Sequence, residues 1–289
     1  MWVCDQWKDY ELIDACAGEK LERWGNIILR RPDPMAVWDC MSAPEKLWNS
    51  ADAVYHRSSS GGGAWEYRKK LPEQWDISYR ELQFHIKTMG FKHTGLFPEQ
   101  AVNWDWCSEL IRKSGREIRV LNLFAYTGGA SAAACAAGAS VVHVDAAKGM
   151  VAWAKENVAS SCPDGAKIRF LVDDVSKLVQ REIRRGNQYD GIIMDPPSYG
   201  RGPSGEVWKV EEGLFPLVMD CLKLLSPDPL FFLINSYTAG LSPSAVANVL
   251  NFSIKRRFGG RVTADEVGLR MSSNGLFFPC GTAGRWEMH

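Results

Sequence analysis

Asp195-Pro196-Pro197-Ser198-Tyr199 follows an apolar run, Gly191 to Met194, that has the composition of a buried strand. Proline has no N–H and a fixed φ, so the chain must leave the sheet at this point. One reading is a stiff strand stop with a capping acid. The other is a rigid rim that aims a carboxylate, bare carbonyls and an aromatic ring at a ligand.

A second constellation precedes it. Phe124-Ala125-Tyr126-Thr127-Gly128-Gly129 follows the apolar run Ile118 to Phe124. A dinucleotide site wants G-x-G-x-x-G so that backbone can approach a pyrophosphate. Here only two adjacent glycines occur, and Tyr126 would crowd a pyrophosphate. The turn suits a ligand without phosphate. S-adenosylmethionine meets that condition, with its methionine arm over the turn; a tight structural turn is the alternative. Asp145 lies at about the ~20-residue interval at which an acid meets a ribose hydroxyl. Asp174 ends a third strand region, where its carboxylate could accept from an adenine amine while Val175 packs on the ring. Asp173 competes for that role, and both Asp145 and Asp174 also read as helix caps.

The elements that must position these residues alternate from about Gly115 onward. Strand candidates are Ile118 to Phe124, Val141 to Asp145, Lys167 to Val172, Gly191 to Met194 and Leu230 to Asn235, with helical patterns between them. Asp174 and Gly186 bracket one helix, Gly138 closes another, and Ser242 or Ser244 opens a later one. Such repetition predicts an α/β fold, a doubly wound Rossmann-like parallel sheet with ligands beyond the strand carboxyl ends. Residues 1–89 lack the alternation and predict a small β-rich N-terminal domain, with residues 90–289 forming the catalytic domain. There the Ser/Gly loop of Tyr55 to Lys70, flanked by Arg57, Arg68, Lys69 and Lys70, reads as a solvated hairpin or as a phosphate-contacting arm.

Composition narrows the class. The 289 residues are 46% apolar and 24% charged, with 34 basic and 34 acidic side chains and no net charge. That balance is that of a soluble globular protein without an overall basic field for nucleic acid, although a local patch would suffice. Eight scattered cysteines form no C-x-x-C pair, so no metal site is expected and reduced thiols are the default. The N-terminus lacks an apolar signal core, and no apolar run approaches the ~20 residues of a membrane span. A cytoplasmic protein with no membrane partner is expected.

LNLFAYTGGASAAA, VHVDAAKGMVAWAKENV and MDPPSYGRG resemble the corresponding motifs of class I S-adenosylmethionine-dependent methyltransferases. More narrowly, they are similar to the bacterial large-subunit (23S) ribosomal RNA methyltransferase family. Gly90 to Trp106 resembles that family's K-T-G-F-F-x-D-Q segment, which lies over the cofactor. Larger members carry a further RNA-binding domain at the N-terminus, and this chain is expected to start directly at the β-rich module.

The resemblance implies S-adenosylmethionine as cofactor and RNA, ribosomal in origin, as substrate. Phe124, Ala125, Tyr126, Thr127 and Gly128 would line the methionine arm. Asp145 with Ala146 would hold the ribose, and Asp174 with Val175 the adenine. Phe97 and Gln100 would close over the cofactor. Asp195, Pro196, Pro197 and Tyr199 would face the transferable methyl, which suits a base nitrogen as acceptor. A protein or small-molecule nitrogen is the alternative acceptor. Methylation at pyrimidine carbon 5 needs a thiolate. Members that perform it carry Ser-Cys-Ser after the fifth strand, where this chain has Asn235-Ser236-Tyr237. The Gly-rich run between Tyr199 and Trp208 is expected to form a lid beside the site.

Overall fold

Beyond Gly115 the apolar runs become the strands of one parallel sheet, and the capping residues fall where the helices begin and end. The computed structural model describes residues 1–58, 62–201 and 207–288. The centres of the Ser/Gly loop (59–61) and of the expected lid (202–206) lie outside the described residues. Two compact units result, Met1–Val102 with Val267–Cys280, and Asn103–Glu266 with Gly281–His289.

The first unit opens with β1 (Trp2–Cys4), β2 (Tyr10–Cys16), β3 (Glu19–Trp24) and β4 (Ile27–Pro32). A short helix, α1 (Glu45–Asn49), precedes β5 (Ala53–Arg57) and β6 (Gly63–Tyr67), and β7 (Trp75–Tyr79) pairs with β8 (Leu82–Ile86). Strands β2 to β6 form one sheet in chain order, antiparallel except where β5 joins β4. Ile13, Cys16, Leu21, Trp48 and Val54 pack beneath it. The same unit buries charge. Arg31 grips Glu22 with Nε at 2.6 Å and Nη2 at 2.8 Å, and the Tyr10 hydroxyl donates to Glu22 at 2.8 Å. Lys20 lies 3.7 Å from Glu22 and 3.2 Å from Asp33.

The second unit takes in most of α2 (Ala101–Lys113). Then follow β9 (Arg119–Leu123), α3 (Gly129–Ala136), β10 (Ser140–Asp145), α4 (Lys148–Ser161), β11 (Ile168–Val172) and α5 (Val175–Arg185). After β12 (Gly191–Met194) come the paired short strands β13 (Tyr199–Arg201) and β14 (Val207–Lys209), α6 (Val210–Cys221), β15 (Phe231–Ser236) and α7 (Pro243–Leu250). The last two strands are β16 (Arg261–Arg270) and β17 (Phe277–Glu287), hydrogen-bonded neighbours.

Strand order in this unit is β11-β10-β9-β12-β15, all parallel, with Thr282–Glu287 of β17 antiparallel on β15. The chain therefore reverses its direction of winding between β9 and β12, and such a switch point opens a crevice at the strand carboxyl ends. Alternating residues Leu121 and Leu123, Ile192 and Met194, and Phe232 and Ile234 share a core with α5, α6 and α7 through Leu178, Leu214, Val218 and Val246. The intervening residue Asn122 instead meets α3: its amide donates to Ser131 Oγ at 2.9 Å, and Ser131 Oγ lies 3.0 Å from His143 Nδ1. Burial holds the His143 imidazole down at about 4, so it is neutral at physiological pH. Among the described residues no helix is long and apolar enough to cross a membrane.

Candidate active site

The two sequence constellations emerge side by side. Leu123 of β9 is the register partner of Met194 of β12, and the Asp195 N–H donates to the Leu123 carbonyl at 3.4 Å. The Phe124 turn and the proline segment thus leave adjacent strands at the switch point.

The turn is strained where side chains would meet a ligand and packed where they would not. Phe124 and Tyr126 hold φ of 56° and 51°. The left-handed region costs a residue with a Cβ about 1–2 kcal/mol, and such strain concentrates at functional sites. Gly128 has φ +85°, and a Cβ there would come within 2.9 Å of the Ala154 methyl. At Gly129 a Cβ would lie 2.6 Å from the Trp104 ring. The paired glycines therefore admit α4 and α2 and are not a pyrophosphate cradle. Thr127 is buried, and its carbonyl accepts from Asn157 Nδ2 at 2.8 Å. Ala125 is also buried, its N–H donating to Val144 at 2.9 Å.

Asp145, half-buried at the tip of β10, ties the turn to the sheet. One carboxylate oxygen accepts the Tyr126 N–H at 2.9 Å and the other the Ala147 N–H at 2.8 Å. A carboxylate oxygen accepts more than one hydrogen bond, so capacity remains for a ribose diol. Ala146 beside it is exposed. Asp174 caps α5, accepting from the Lys177 N–H at 2.8 Å. Val175 lies in the hydrophobic core, and Asp173 is ion-paired to Arg181. The capping reading of Asp174 is therefore realised, with its second oxygen not used in that cap. This donor set, without a phosphate cradle, fits S-adenosylmethionine.

At the proline segment, Asp195 is half-buried, Pro196 buried and Pro197 exposed. Tyr199 is 51% exposed, the condition for a stacking surface. The Pro197 carbonyl accepts from Trp208 Nε1 at 2.7 Å, and Ser198 Oγ lies 2.7 Å from Thr238 Oγ1. Trp208 was read in the sequence only as the end of a Gly-rich run, yet its ring also packs on Phe124 at 5.9 Å between centroids. Phe97 and Gln100 belong to the first unit, Gln100 buried and Phe97 against His93 at 5.2 Å.

The thiolate alternative finds no support. Asn235 and Ser236 are buried. Asn235 accepts from Asn103 Nδ2 at 3.0 Å, and the Asn103 carbonyl oxygen takes two N–H groups of Arg285 at 2.9 and 2.6 Å. Burial pushes the thiols of Cys107 and Cys135 up to about 12 and raises those of Cys221 and Cys280 as well. No group of three or more metal-ligating side chains occurs among the described residues.

Two of the four cations flanking the Ser/Gly loop, and Lys209, are ion-paired. Arg68 pairs with Glu66 at 2.9 Å, Lys69 with Asp52, and Lys209 with Glu212 at 2.8 Å.

Comparison with known proteins places this geometry. The model of the S-adenosylmethionine-dependent methyltransferase family matches residues 51–209. The crystal structure of an S-adenosylmethionine-dependent methyltransferase from Agrobacterium tumefaciens superposes with a TM-score of 0.91 at 36% identity, over 97% of this chain and 91% of that one. The methyltransferase SMU.776, complexed with SAH, shares the fold at TM-score 0.75 and 22% identity, over 98% of this chain and 76% of its own. Among curated proteins, the ribosomal RNA large subunit methyltransferase K/L of Shewanella frigidimarina is 32% identical over 170 residues, 57% of this chain. The match spans only 23% of that relative's length. With the strand-tip turn, the acid of β10 and the proline rim all in their expected places in the chain, the family match makes this chain a member of the S-adenosylmethionine-dependent methyltransferases.

Proposed function

We propose that the chain methylates a base nitrogen of ribosomal RNA, with residues 90–289 carrying the reaction and the cytoplasm as its place of action. The observation that carries this reading is the juxtaposition of Asp195-Pro196 with the Phe124 turn on adjacent strands. S-adenosylmethionine supplies, when bound, an electrophilic methyl on sulfur. Phe124, Ala125, Tyr126, Thr127 and Gly128 hold its methionine arm, Asp145 and Ala146 the ribose, and Asp174 and Val175 the adenine. The Asp195 carboxylate and the Pro196 carbonyl each accept one hydrogen of an exocyclic amine. That fixes the nitrogen and favours the positive charge that develops on it. Pro197 stiffens the rim, and exposed Tyr199 stacks on a base taken out of its helix.

Mass spectrometry of RNA nucleosides from cells with and without the gene tests this reading. One methylated base should vanish in the deletion, and an unchanged nucleoside profile would defeat it. A protein acceptor is the second reading, favoured by the internal pairing of Arg68, Lys69 and Lys209. RNA affinity that falls steeply with salt decides for RNA.

Tyr126→Gly separates strain from binding. Removing the left-handed Cβ should leave the melting temperature unchanged or higher. Affinity for S-adenosylmethionine, followed by calorimetry, should fall about tenfold with loss of one aromatic contact.

A further inference from the structure

Pro196 and Pro197 have no backbone donors, so no N–H of either residue can tie the rim to the rest of the unit. The two prolines themselves can be hydrogen-bonded only through their carbonyls. The Trp208 indole, a donor-only group, reaches the Pro197 carbonyl at 2.7 Å. Its ring also packs on Phe124, the first residue of the cofactor turn, with planes tilted by 46°. The side chain is placed by its strand pairing, Gly200 opposite Trp208, and by the Val210 N–H donating to the Ser198 carbonyl at 3.1 Å. Gly213 of α6 leaves room for it: a Cβ there would come within 2.5 Å of the indole.

We propose that Trp208 is a positioning residue that fixes the proline rim against the cofactor turn, so that the acceptor is held in line with the methyl. The inference rests on the functional reading of Asp195-Pro196 but not on the identity of the acceptor. Trp208 touches no reacting atom; it acts through Pro197 and Phe124.

Two variants test the tie by different routes. Trp208→Phe keeps a ring against Phe124 and removes the N–H. Gly213→Ala leaves the indole intact and displaces it, while alanine in a helix is otherwise favourable. Methyl transfer from labelled S-adenosylmethionine into unfractionated extract of cells lacking the gene makes the readout independent of acceptor class. Both variants should lose about tenfold in turnover, since small misplacements of reacting groups are costly. Cofactor affinity should stay within about twofold and the melting temperature within about 2 °C, as one surface hydrogen bond contributes little to stability.

Unchanged turnover in Trp208→Phe would overturn the proposal. So would a loss matched by an equal loss of cofactor affinity or by early melting. A wild-type protein that labels nothing defeats the functional reading instead. The tie is then read from hydrogen exchange at the Val210 amide, which must accelerate in Trp208→Phe; equal exchange rates overturn it.

Discussion

Replacing Asp195 with alanine should lower methyl transfer by about 10²–10³-fold, the usual effect of removing one preorganised polar group from a developing charge. Affinity for S-adenosylmethionine should remain within about twofold, because the proposed partner of the carboxylate is the acceptor nitrogen. The scaffold should tolerate the change. Asp195 is only half-buried, and its backbone N–H, which alanine retains, makes the contact to Leu123. Single-turnover rates and cofactor titration on the same preparation separate the two effects. Equal losses of rate and affinity would place Asp195 in cofactor binding and remove it from the acceptor site.

The second large effect concerns folding of the first unit. Arg31→Met should destabilise it by about 3–5 kcal/mol, because it leaves the buried Glu22 carboxylate without its bidentate partner. Lys20 at 3.7 Å and the Tyr10 hydroxyl at 2.8 Å soften the loss, so the lower end is expected. A drop of about 10 °C or more in the first thermal transition would follow. Burial alone would raise the Glu22 pKa, but Arg31 and Lys20 override it and hold the group at about 2, against 4.5 for a free glutamate. A depressed carboxylate contributes its stability above the unfolded-state value and loses it as pH falls. The wild-type unit should therefore weaken between about pH 4.5 and pH 2, and a Glu22→Gln variant should lack that acid-sensitive step. Denaturant titrations across that window give the comparison.

Much of the second unit was legible in its sequence because its signals are local. Gly191 to Met194 is apolar throughout, as a strand covered on both faces must be. Asp174, Gly186 and Ser242 announce helix ends by side-chain and backbone chemistry that operates within a few residues, and each sits where expected. The proline pair stops its strand for a reason contained in the residue itself.

What escaped is what depends on distant partners. Strand β3 reads as polar, since Glu19-Lys20-Leu21-Glu22-Arg23-Trp24 carries four charges among two apolar residues. Only the fold shows that Glu22 faces inward onto Arg31. The return of Val267–Cys280 to the first unit depends on where β16 and β17 run and leaves no compositional trace. Asp145 read either as a ribose-binding acid or as a helix cap. Its bond to the Tyr126 N–H spans 19 residues and appears only once β9 and β10 are paired. Trp208 was obscured by the Gly-rich run before it, which suggested a loose lid, whereas its indole donates to the Pro197 carbonyl of the rim.

The most direct measurement is a crystal structure with S-adenosylhomocysteine, together with calorimetry of its binding. The account predicts a ligand draped over Phe124 to Gly128, ribose hydroxyls on Asp145, and sulfur directed at Asp195 and Pro196. A ligand bound away from the tips of β9 and β12, or no binding at high micromolar concentration, would contradict it.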